Sequence, residues 1–194
     1  MRPRTYDDAG QAFPIYITVV AGLLFLAFAY FAVGQAAVNR NGAQTAADAA
    51  ALAAAQKTRD QLAGEWLDDV LDPAKWDGIF HGDGAVNGCD RAAELAEQND
   101  ATLGPCDQPE PLRYDVEVTT NKTVGESIVP GTENKQSRAT ATAVIEALCT
   151  FDPPGQGAAL PQLKCQDDKI WDLNPDDLTD LPKPQDLFDV HLAD

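Results

Sequence analysis

The residues best suited to chemistry in this chain are its cysteines, its histidines and a few grouped carboxylates. Cys89, Cys106, Cys149 and Cys165 form no C-x-x-C pair, and neither His81 nor His191 stands at ligand spacing from them, so the pattern does not describe a zinc site. An even number of cysteines beyond an apolar segment describes two disulfides in an oxidising compartment. Near-neighbour pairing, Cys89 with Cys106 and Cys149 with Cys165, is the expectation, although the sequence alone leaves three connectivities open. His81 and Asp83 fall in "HGDGAVNG", which reads as a glycine-punctuated surface turn. Asp172, Asn174 and Asp176 imitate the start of a calcium loop. Asp177 then replaces the required glycine at the sixth position, and Lys183 stands at the twelfth, where a bidentate glutamate belongs. No nucleophile elbow, H-E-x-x-H, phosphate loop or dinucleotide fingerprint is present, and Asp68 and Asp69 read as a solvated helix face. These absences argue against an enzyme, and no metal or other cofactor is implied.

The elements that position these residues are more informative than the residues themselves. The 194-residue chain carries a net charge of −17. Residues 1–40 hold +1 and everything beyond holds −18, which repels phosphates and excludes nucleic acid as a partner. No charge occurs between Asp8 and Arg40, and Ala12 to Val33 is long and apolar enough to cross a bilayer as a helix. Pro14 suits a first helical turn, and Tyr16 and Tyr30 suit the two interfaces. A cleavable signal would have a shorter apolar region. Arginines on both sides leave orientation weakly set. The cysteines place the N-terminus inside and the C-terminal domain outside the cell membrane.

The next segment, "NGAQTAADAAALAAAQ", spaces Ala43, Ala47, Ala50, Ala51 and Ala54 at three and four residues, along one face of a helix. Alanine combines the best helix propensity with almost no bulk, so another backbone can approach this face closely. Asp48 points elsewhere, with Gln44 and Lys57 on polar faces; Asn41-Gly42 could kink the helix or break it.

One apolar span followed by this alanine block resembles the N-terminal region of the TadG-like proteins of tight-adherence (Flp-type) pilus systems. Gln44, Ala46, Ala47, Asp48, Ala49, Ala50, Ala51 and Leu52 match that family's "Q-x-AADAAALA" segment, and the likeness covers about the first third of the chain. The resemblance implies a minor pilin or pilus-assembly component in the cytoplasmic membrane, with the bilayer and other pilin-like proteins or assembly components as partners, in a homo- or hetero-oligomer. Processing of the prepilin type would follow a glycine with a glutamate five positions on. Here Ile15 holds the fifth position after Gly10, so leader cleavage is not expected.

Beyond the alanines, Leu62, Trp66, Leu67, Val70 and Leu71 continue an apolar helical stripe up to Pro73. "CDRAAELAEQ" reads as a short helix. Leu112, Tyr114, Val116 and Val118 alternate with polar residues as in a strand, and Ala139, Ala141, Ala143, Ile145 and Ala147 form one face of another. A third short strand is expected near Ile128 and Val129. From Phe151 onward, recurrent prolines and ten aspartates against three lysines describe an extended or disordered tail, with Trp171 and Leu173 docking it.

The organisation read from the sequence is therefore a cytoplasmic tail (1–11), a transmembrane helix (12–38), an alanine-rich stalk helix (39–72), a small α+β domain (73–150) and an acidic tail (151–194). The fold class is α+β and pilin-like: a long helix, a small antiparallel sheet and an extended acidic tail. Its function is that of a membrane-anchored, pilin-like component whose face of Gln44, Ala46, Ala47, Asp48, Ala50, Ala51 and Ala54 packs against other such helices. The alternative is a single-pass anchored binding or sensor module, in which the acidic tail contacts a partner or cations and removal of 170–194 abolishes function but not assembly.

Overall fold

A computed structural model describes residues 12–123, 134–153 and 160–193. The N-terminal tail, Gly10 of the processing pattern and the strand expected near Ile128 and Val129 lie outside these residues. One unbroken helix, α1, runs from Ala12 to Asp68; at 57 residues it is about 85 Å long. The chain neither breaks nor restarts at Asn41-Gly42. An added Cβ at Gly42 would meet nothing within 4 Å, so this glycine is not there to relieve crowding.

Two short helices follow, α2 (Pro73–Phe80) and α3 (Cys89–Gln98). Pro73 does more than stop a helix, because it opens α2 from the first turn, where its missing N–H is not needed. Leu67 and Leu71, counted above in the apolar stripe, are exposed where α1 ends and the chain turns, whereas Trp66 and Val70 are buried.

Four antiparallel strands form the main sheet: β1 (Ala101–Glu110), β2 (Arg113–Thr120), β3 (Arg138–Ala147) and, from the far end of the sequence, β7 (Phe188–Leu192), in the order β1-β2-β3-β7. The alternation in β2 buries Tyr114, Val116, Val118 and Thr120 on the inner face. In β3 the inner face is Ala139, Ala141, Ala143 and Ile145, with Ala143 and Ile145 fully covered and Ala147 exposed. β1 was not legible as a strand. Its Gly104, Pro105 and Pro109 destroy any period-two pattern, and its pairing slips between Leu103 and Cys106 and again between Asp107 and Glu110. Prolines and bulges are tolerated there because β1 is an edge strand.

The segment expected as a tail is part of the domain. β4 (Cys149–Phe151), β5 (Leu163–Cys165) and β6 (Ile170–Trp171) make a second, three-stranded sheet. A single helical turn, α4 (Pro184–Leu187), leads into β7, which pairs with β3 from Ala143↔Leu192 to Ala147↔Phe188. Composition masked this, because a few large residues suffice to anchor a polar segment. Leu163, Leu187 and Phe188 have no exposed surface. Phe151 and Phe188 join Trp66, Trp76 and Phe80 in an aromatic cluster with neighbouring centroids 5.3–5.9 Å apart, close to edge-to-face and tilted spacing. Leu173 is buried and Trp171 half-buried, with Lys169 Nζ 4.3 Å above its ring. Deleting 170–194 would therefore remove β7 and core side chains, and cannot separate function from folding.

Two disulfides staple this arrangement. Cys89–Cys106 ties the start of α3 to β1, and Cys149–Cys165 joins directly opposed residues of β4 and β5.

Candidate functional site

The described residues gather no chemistry-bearing cluster. No group of three or more His, Cys, Asp or Glu side chains among them is placed to hold a metal. His81 Nδ1 faces the Asp77 carbonyl at 2.7 Å, so that nitrogen carries the proton and donates. In the would-be calcium loop, Asn174 Oδ1 accepts from the Asp176 N–H at 3.0 Å, and Asp177 is engaged by Thr179 at 2.7 Å. These side chains fold a local turn. Asp177 is held below the usual carboxylate range, first by the Thr179 hydroxyl and then by its N–H.

The organised feature is α1, which divides by environment. From Phe13 to Val38 nearly every large apolar side chain is exposed, and none of the helix's most apolar stretch is buried within the protein. By length and composition this stretch can span a membrane, as a single-pass anchor. From Ala43 the environment inverts. Ala43, Ala46, Ala47, Ala50, Ala51, Ala54 and Ala55 are all fully buried, and they are buried by this chain's own sheet and α3.

The stripe that the sequence offered to partner helices is thus occupied at home, and 39–68 is the central helix of the domain, not a free stalk. The physical reason is complementarity of small side chains. β3 presents alanines to the helix, so sheet and helix approach closely, and α3 approaches from another side through Gly88. A Cβ at Gly88 would lie 2.3 Å from the Ala54 carbonyl oxygen. Small-residue faces specify close approach but not whose backbone approaches, so the sequence could not distinguish a partner from the chain itself.

The motif's two polar residues sit at the margin of this packing. Gln44 Nε2 donates to Asp48 Oδ1 at 2.7 Å and reaches the Thr140 carbonyl of β3 at 3.3 Å. Lys57 Nζ pairs with Asp90 in the first turn of α3 at 2.6 Å, which holds the Asp90 carboxyl below its ordinary range. Deeper in, Thr58 and Tyr114 share a short 2.6 Å hydroxyl contact; the Gly88 N–H donates to the Tyr114 hydroxyl at 2.9 Å, and the Val86 carbonyl lies within reach of both hydroxyls. Whichever hydroxyl donates to the other, both protons find acceptors, so the buried network is closed. At the membrane end, the Thr120 hydroxyl has the Lys122 carbonyl at 2.9 Å and Asn39 Oδ1 at 3.2 Å as acceptors, and Asn39 Nδ2 donates to the Lys122 carbonyl at 3.0 Å. Asn39, Thr58, Gly88 and Tyr114 carry the docking of helix and domain. Sequence reading placed Tyr114 on a strand face but not its hydroxyl's role, and missed Asn39, Thr58 and Gly88, because single polar residues and one glycine before a helix leave no periodic signal.

These features define a class: an α+β domain, closed by two disulfides and built around the distal half of a helix whose proximal half can span a membrane. Residues 10–57, about a quarter of the chain, match the family described as "Putative Flp pilus-assembly TadE/G-like", and this segment is similar to that family. The match covers the anchor and the alanine stripe together and stops just before Thr58. No curated protein matches the chain, and no solved structure does.

Proposed function

We propose that this protein is a membrane-anchored, pilin-like component of a tight-adherence (Flp-type) pilus assembly or secretion system, with a structural and not a catalytic role. The observation that carries this reading is the coincidence of the family match with α1, which both can span a membrane and forms the centre of the domain. The two disulfides support a domain on the extracytoplasmic side of the cell membrane, with residues 1–11 in the cytoplasm. With the alanine stripe covered, contacts with other pilin-like or assembly proteins fall to the exposed span and to the outer face of the domain.

Shearing surface filaments from producing cells tests this reading. Recovery of the protein with the sheared filaments, or its retention in the membrane together with loss of filaments when it is deleted, is the expected outcome. A deletion strain with normal filaments, and no protein in the sheared material, would refute a role in assembly.

A further inference from the structure

A groove lies where the anchor meets the domain. One wall is α1 from Tyr30 to Gly42; the other is the rim formed by the turn after α3, at Asn99 and Asp100, and the end of β2, at Thr120 and Lys122. The open groove holds about 640 Å³. Its lower wall is apolar, from Tyr30 and Phe31, and its upper end, beyond Val38, carries the Lys122–Asp100 pair, with Nζ and Oδ2 2.6 Å apart and both side chains mostly exposed. Gly34 and Gly42 keep the helix wall bare, since a Cβ at either would meet nothing within 4 Å. The amide oxygen of Gln35 is buried in this wall with no hydrogen-bond partner.

The height of the groove on the helix identifies what fills it. A hydrocarbon core of about 30 Å takes roughly 20 residues of helix, and each headgroup layer adds about five more. Counted from Phe13, the core ends near Ala32 and the headgroup layer near Ala37. The groove therefore begins at the acyl-chain boundary, crosses the ester and headgroup levels, and opens into water at Gly42. Its polarity changes in the same order, apolar at Tyr30 and Phe31 and charged at Lys122 and Asp100.

Resting on the anchored reading above, we infer that the groove binds one phospholipid of the surrounding bilayer, an aminophospholipid of the phosphatidylethanolamine type. An acyl chain lies against Tyr30 and Phe31. The phosphate meets Lys122 and the ammonium meets Asp100, so a zwitterionic headgroup satisfies both members of an exposed pair. The charge of −18 beyond residue 40 repels an anionic headgroup, which sets the preference for a zwitterion.

Native mass spectrometry of the full chain, released from nanodiscs of equal phosphatidylethanolamine and phosphatidylglycerol, tests the inference. One retained phosphatidylethanolamine per chain is expected. Gly34→Leu adds its Cβ where nothing lies within 4 Å and extends into the groove, and should lower retention about tenfold, the effect of roughly two displaced methylene contacts. Its urea midpoint and alkali-resistant membrane fraction should match wild type, which separates loss of lipid from loss of fold. Lys122→Glu should abolish the headgroup preference. Equal retention by wild type and Gly34→Leu, preferential retention of phosphatidylglycerol, or a second copy of the chain in place of lipid would overturn the inference and leave the pilus reading standing. Extraction of the wild-type protein by alkali would overturn both.

Discussion

Replacing Gly88 by alanine asks the helix–domain junction to accept one methyl group. The new Cβ would stand 2.3 Å from the Ala54 carbonyl oxygen and 2.9 Å from the Ala54 carbonyl carbon and Cα. These are backbone atoms of a long helix and cannot rotate aside. α3 must therefore move away from α1, which opens the 2.9 Å bond from the Gly88 N–H to the Tyr114 hydroxyl. Overpacking of this kind costs about 1–3 kcal/mol, and stranding a buried donor about 1–3 kcal/mol more. The backbone at Gly88, with φ −94° and ψ 8°, suits alanine, so the unfolded-state benefit of Gly→Ala offsets about 0.4–1 kcal/mol. The net is a destabilisation of roughly 3 kcal/mol. At a urea slope of about 2 kcal/mol per M, the midpoint falls by about 1.5 M. Fluorescence of the fully buried Trp66 and Trp76, recorded on the full chain in nanodiscs, reads this transition. Gly64→Ala is the matched control. Gly64 sits in α1, the helix of Ala54, with nothing within 4 Å of the added carbon, and should gain about 0.5–1 kcal/mol. A Gly88→Ala midpoint at or above that of wild type would refute the claim that α3 packs backbone-to-backbone on the alanine stripe.

Three further outcomes follow from the same geometry. Tyr114→Phe removes a hydroxyl that accepts from the Gly88 N–H, lowering stability by about 1–3 kcal/mol in the same urea assay. The disulfides close loops with sequence separations of 17 and 16, so replacing either cysteine pair with serine should cost about 3 kcal/mol, and reduction of the wild type should lower its midpoint accordingly. Asp186 is held below the ordinary carboxylate range, first by Lys169 Nζ at 2.8 Å and then by the Lys183 N–H at 2.9 Å. Its contribution is complete above the unfolded aspartate value and disappears as pH falls through the lower folded one. Asp186→Asn should therefore be less stable than wild type at pH 7, and the difference should shrink once pH falls below about 4 in parallel pH-dependent unfolding.

Periodicity made some parts of the fold legible and left others hidden. The span needed only a charge-free apolar run, and β2 and β3 needed only alternation, because burial of one face imposes these patterns directly. β7 and β4 escaped notice because Phe188 and Phe151 anchor them among prolines and aspartates, and bulk composition averages such single anchors away. β1 escaped because an edge strand tolerates Pro105 and Pro109. The alanine stripe was visible residue by residue, but its occupant was not. Which backbone approaches a small-residue face depends on long-range topology, here the return of β3 to α1 across about ninety residues. The Asn39 clasp and the Thr58–Tyr114 network depend on the same topology, since each joins residues far apart in the chain.

The urea midpoint of Ala50→Leu in a bilayer tests most directly whether the stripe belongs to this chain's own domain. Ala50 is fully buried, so leucine should cost about 2–3 kcal/mol and lower the midpoint by about 1 M, while the protein stays in the alkali-resistant membrane fraction. An unchanged midpoint, together with loss of crosslinking to pilus components, would contradict this account and return the stripe to a partner helix.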